Sequence, residues 1–135
     1  MSSIQQLQDR LQSASAEYQK IQADLTNAVD ARQRLDAQKS ENELVKAEFD
    51  KLSPNSVVYK QIGPVLVQQE QAEAKANVKT RLDFIASEIK RIEGQLAELG
   101  EKSEKKKVEI VEIQTQIQRL AQPAAAQASP APIAA

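Results

Sequence analysis

The chain contains no cysteine, no histidine and no tryptophan, and only two phenylalanines, two tyrosines and three glycines in 135 residues. Without thiols or imidazoles it has no thiolate nucleophile, no side chain that ordinarily titrates near neutral pH and no soft metal ligand. Most covalent, general-base and zinc chemistry is thereby removed, and no metal or cofactor is expected. The lack of cysteine is compatible with a reducing compartment. Gly63, Gly94 and Gly100 are isolated, so no glycine-rich loop cradles a phosphate and no ATP hydrolysis is expected. Carboxylates such as Glu41, Glu43 and Glu48 are spread along the chain without a converging pair, which argues against acid/base catalysis and against an enzyme.

Neither sign of charge is in excess. Lys plus Arg number 18 against 19 for Asp plus Glu, a net charge of −1, so there is no general attraction to nucleic acid or to an anionic membrane. No stretch approaches the run of about 18 apolar residues that a membrane helix needs, and Met1 to Leu11 has no basic region followed by an apolar one. The expectation is a soluble cytoplasmic chain. Aromatics, on which globular cores draw heavily, make up 3% of it, whereas Gln, Ala, Glu, Lys, Leu and Ile abound. The apolar residues should form a seam rather than a ball.

The seam is visible as heptads. Ile4, Leu7, Leu11, Ala14, Tyr18, Ile21, Leu25 and Ala28 recur at alternating gaps of three and four. Continuing that register brings Arg32, Lys39 and Lys46 inward. One shortened gap after Ala28 brings Ala31, Leu35, Gln38, Asn42, Val45, Phe49 and Leu52 inward instead, so a local stammer is expected there. The later tract is unbroken from Val78 through Leu82, Ile85, Ile89, Ile92, Leu96, Leu99, Ser103, Lys106, Ile110, Ile113 and Ile117 to Leu120, with 11 of 13 positions apolar.

Between the tracts, Ser53-Pro54-Asn55-Ser56 stops the first helix, because proline disfavours helical geometry in the residue before it and Asn and Ser favour turns. Val57, Val58, Tyr59 and Ile62 are β-branched or aromatic, Val65 to Val67 are apolar, and the two runs flank Gly63-Pro64. This is a β-hairpin signature with a type II′ turn, glycine first and proline's fixed φ second. The fold class predicted is mainly α: an antiparallel two-helix coiled-coil hairpin with a single β-hairpin at the bend. Its helices cover about 3–52 and 70–120, each roughly 75 Å long, its hairpin covers 57–67, and one domain spans 1–122. Residues 123–135, rich in Ala and Pro, read as a flexible tail.

A two-stranded hairpin is marginal in water, and Val57 and Tyr59 point one way while Val58 and Ile62 point the other. Its open edges and Val65-Leu66-Val67 need cover, most simply strands from other subunits. Val57, Val58, Tyr59, Ile62, Gly63, Val65, Leu66 and Val67 are therefore the candidate assembly residues. At the opposite helix ends, Ile4, Leu7, Leu11, Ile113, Ile117 and Leu120 are candidate contacts for another protein, being apolar where the coil frays.

The stretch Val58-Tyr59-Lys60, Ile62 to Val67, Glu73-Ala74-Lys75, Asn77-Val78 and Arg81-Leu82 resembles the prefoldin family, and the likeness extends over nearly all of Ser3 to Leu120. It departs from the family's common residues at Gln61, Gln68, Gln71 and Lys79-Thr80. The 17 residues from Ser53 to Gln69 hold one hairpin, not the two of the α type, which selects the β type. The resemblance implies a heterohexamer of two α-type and four β-type subunits joined by β-barrels. Its coiled-coil tentacles would hold unfolded proteins, actin and tubulin among them, without ATP and pass them to the cytosolic chaperonin. The candidate end residues become client-binding tips in that picture. The rival reading is a structural coiled-coil tether, which leaves Val57 to Val67 unexplained.

Three weaker features remain. The run Glu101 to Lys107 reads as a solvated face, its lysines diluted by glutamates. Ser103 and Lys106 on the seam, near Gly94 and Gly100, suggest a compliant stretch. Asn42 and Gln38 either fix the helix register or mark loose packing.

Overall fold

The computed structural model describes residues 3–122; the tail expected at 123–135 lies outside them. The element order is α1 (Ile4–Lys51), β1 (Val58–Ile62), β2 (Val65–Gln69) and α2 (Gln71–Ala121). This is the expected class, two long helices with a two-stranded antiparallel hairpin between them.

Local chemistry sets the ends of these elements. Ser3 and Gln6 form a reciprocal capping box: Ser3 Oγ accepts from the Gln6 amide at 3.1 Å and Gln6 Oε1 accepts from the Ser3 amide at 3.0 Å. Pro54 follows α1 in a turn closed by the Ser56 amide donating to the Ser53 carbonyl at 3.0 Å. Gln71, one of the departures from the family pattern, donates to the carbonyls of Ser53 at 2.7 Å and Ser56 at 2.9 Å. It thus ties the linker after α1 to the first turn of α2. Glu73 in that turn and Arg119 in the last one carry the signs that the helix dipole favours.

The chain divides into two compact units, one holding Asn27–Ala97 and the other the helical residues up to Thr26 and from Glu98 onward. In the first, the hairpin unit, Ala28, Ala74, Val78, Ile85 and Ile92 are buried. Of the positions the stammer register brings inward, Ala31, Leu35, Asn42 and Phe49 are half-buried and Gln38, Val45 and Leu52 are exposed, as are Lys39 and Lys46 of the other register. Arg32 is half-buried as well and pairs with Glu93 of α2. Asn42 donates to the Gln38 carbonyl of its own helix at 2.7 Å and makes no bond across the seam, so these two residues mark loose packing and not a register lock.

In the second, the terminal unit, Leu7, Ala14 and Ile113 form the core, with Leu11, Ile110 and Ile117 packed against it. Ser103 is buried on the seam and its hydroxyl accepts from Gln22 Nε2 at 2.8 Å. Lys106 reaches Glu17 of α1 at 2.5 Å and Glu109 of its own helix at 2.9 Å. In this unit the two polar seam positions, Ser103 and Lys106, are thus occupied by cross-helix bonds.

The hydrogen bond to Glu17, then that to Glu109, holds the Lys106 ammonium above its ordinary pKa. A raised folded-state pKa gives stability that is complete below the ordinary lysine value and lost as pH rises through the raised one. The helical melting temperature of wild type is therefore expected to fall more than that of Lys106→Met as pH rises past the ordinary lysine range. Circular dichroism checks this, and equal pH profiles for the two proteins rule out the assigned role.

Candidate functional site

The hairpin gathers the candidate assembly residues in one place. Its register pairs Val58 with Gln69, Tyr59 with Gln68, Lys60 with Val67, Gln61 with Leu66 and Ile62 with Val65. Gly63, at φ +58°, and Pro64 make the two-residue turn, and proline's negative φ selects type II′ over type I′. An alanine at Gly63 meets no neighbouring atom within 4 Å, so the requirement for glycine is purely one of backbone conformation.

Directly opposed residues share a face. One face carries Val58, Lys60, Ile62, Val65, Val67 and Gln69; the other carries Tyr59, Gln61, Leu66 and Gln68. Val58 and Gln69 at the base are half-buried, and the rest are exposed, Leu66 at 63%. The sheet has only two strands, so each keeps one edge without a partner strand among the described residues. Apolar surface on both faces next to unpaired backbone is the physics of an unfinished sheet.

The six candidate end residues do not share one environment. Leu7 and Ile113 are 1% exposed, in the core of the terminal unit, and Leu11 and Ile117 are half-buried against it. Ile4 and Leu120 are exposed at 38% and 46%. Apolar side chains outside the seam, which heptad reading passes over, are also exposed: Leu44 and Phe84 in the hairpin unit, Val108 and Val111 in the terminal unit. Phe84 and Ile85 line a groove of about 490 Å³ with Gln38, Asn42 and Arg81, where the polar seam residues leave the helices loosely packed. For Leu44, Phe84 and Val111 the signal in the sequence is a large apolar residue one step off the seam, as Phe84 is from Ile85.

Among the described residues, no group of His, Cys, Asp or Glu side chains is placed to hold a metal ion, and no helix is long and apolar enough to cross a membrane.

If the exposed hairpin is an assembly surface, Leu66→Asp places a carboxylate in the sheet that covers it, costing several kcal/mol. Co-purification with partner subunits is expected to drop by at least about tenfold while far-UV circular dichroism stays unchanged. Normal entry of the variant into the complex means Leu66 is not buried there.

Comparison with known proteins identifies the architecture. A family model described as prefoldin subunit matches residues 12–118. The chain is similar to prefoldin subunit 6 of Mus musculus, 44% identical over 126 residues that cover 93% of this chain and 94% of that protein. Against prefoldin subunit 6 of Saccharomyces cerevisiae the identity is 42% over 98 residues, 73% of this chain and 86% of that one. The crystal structure of the prefoldin beta subunit from Thermococcus strain KS-1 shares the fold, with a TM-score of 0.64 at 24% identity, covering 84% of this chain and 95% of that chain. The chain belongs to the prefoldin subunit family.

Proposed function

We propose that this chain is a β-type subunit of a hexameric prefoldin, similar to subunit 6. In this reading it assembles through its hairpin with two α-type and three further β-type subunits. It binds unfolded proteins such as actin and tubulin without ATP and delivers them to the cytosolic chaperonin. The observation that carries the reading is the single hairpin, apolar on both faces and open at both edges, in a member of a family of subunits. A tether needs no such surface. The reading places the protein in the cytoplasm and assigns it no catalytic step and no cofactor.

Client contact is assigned to the helix ends. Ile4 and Leu120 offer apolar surface directly. Leu7, Leu11, Ile113 and Ile117 are engaged in the seam, and become available where the ends of α1 and α2 part. Replacing the buried ones by polar residues would also unseat the coil by about 2–5 kcal/mol per large side chain, so they are poor probes of binding.

The test is aggregation of a denatured protein diluted into nucleotide-free buffer with the assembled hexamer. Ile4→Ser with Leu120→Ser removes apolar contact on the order of 1 kcal/mol per side chain. Protection is expected to weaken at unchanged hexamer mass, most visibly at low hexamer-to-client ratios, where multivalent holding compensates least. Unchanged protection at every ratio moves the binding surface away from these residues. No protection by the wild type favours the tether.

A further inference from the structure

Lys60 is the one charged residue on either face of the hairpin strands. It occupies the middle of β1 opposite Val67, with Ile62 and Val65 toward the turn and Val58 and Gln69 toward the base. With Ile62 and Val67 it lines a concavity of about 380 Å³ whose wall also includes Glu70 and Glu73 at the entry to α2. Yet Lys60 forms no ion pair with either glutamate or with any other described carboxylate. In the free chain its ammonium stands in water.

Covering this face changes the balance. An ammonium enclosed among Val58, Ile62, Val65 and Val67 loses hydration, and an apolar or cationic neighbour returns nothing for it. A carboxylate on the covering strand does, and a charge left unmatched against every other neighbour is an effective means of discrimination. We propose that Lys60 selects this chain's neighbour: the strand closing over this face comes from another prefoldin subunit and carries an Asp or Glu that meets the Lys60 ammonium. The inference rests on the hairpin's being the assembly surface. The occupant follows from charge complementarity and from continuity with that surface.

The experiment is titration of the full chain with its prefoldin partner subunits, read by native mass spectrometry at low and high salt. Lys60→Glu is expected to weaken co-assembly by at least about tenfold at low salt, with helical signal unchanged. Reversal of one carboxylate to Lys on a partner hairpin is expected to restore it. Lys60→Met, which keeps the side chain's length, should assemble with a shallower salt dependence than wild type. The proposal is overturned by unchanged affinity of Lys60→Glu, by an unchanged salt slope for Lys60→Met, or by the lack of any restoring partner reversal. It is also overturned if Glu70→Lys or Glu73→Lys in the same chain restores assembly, since the counter-charge is then internal. Leu66→Asp separates the two levels. If it blocks assembly and Lys60→Glu does not, only the selection by Lys60 fails; if neither blocks it, the hairpin is not the assembly surface.

Discussion

A two-helix seam buries one stripe of each helix and nothing more, and the remaining features of this chain follow from that limit. With aromatics at 3% of the sequence there is no second core to take up apolar residues that fall elsewhere. Leu7, Ala14 and Ile113 in one unit and Ala28, Ala74, Val78, Ile85 and Ile92 in the other use the stripe's capacity. Half of those eight residues are Ala or Val, which suits helices whose backbones lie close together. Apolar residues outside it, from Tyr59 and Leu66 on the hairpin to Phe84 on α2, remain exposed. The exposure follows from the architecture and is not a defect in packing.

The same limit explains how polar residues are tolerated on the seam. A buried hydroxyl or ammonium in so thin a core must find its partner on the facing helix or return to water. Ser103 finds Gln22, Lys106 finds Glu17, and Arg32 finds Glu93. Each of these bonds exists at one alignment of α1 on α2, whereas Leu against Ile packs acceptably after a shift of one heptad. These polar pairs therefore add to the linker's restriction in favouring one register. The remaining ion pairs, such as Glu88 with Arg91 along α2, span one helical turn of a single exposed helix and contribute little.

Much of this was legible in the sequence, because the heptad repeat, Pro54 and Gly63-Pro64 act through local geometry. The stammer after Ala28 was only partly readable: it keeps Lys39 and Lys46 out of the seam, but Val45 and Leu52 stay exposed and Arg32 is half-buried. The polar bonds across the seam were not. Periodicity tells which face a residue occupies but not which residue it meets, so it left Asn42 open between a register lock and loose packing and gave no sign of the bond from Gln22 to Ser103. Gln71 was equally opaque, because its role depends on the linker carbonyls of Ser53 and Ser56, residues 18 and 15 positions away. The ends were half legible: Leu7 and Ile113 are buried as their seam positions imply, while Ile4 and Leu120, on the same seams, lie open.

The two candidate surfaces differ in a way that suits the two tasks assigned to them. On the hairpin, large apolar side chains occupy both faces beside open strand edges, so a partner gains hydrogen bonds and apolar burial together, as strand addition requires. Such a surface has little use uncovered and favours a lasting association. The helix ends offer Ile4 and Leu120, without free backbone groups in a strand to bind, and hold the rest of their apolar residues in a core. A grip of that kind is weak at each end and not specific for sequence, because apolar contact has no direction. Weakness is the right property for holding an unfolded chain that must later be released, provided several such ends act at once. In the proposed reading a durable joint at the hairpin is what brings several such ends together, so there assembly comes before client binding.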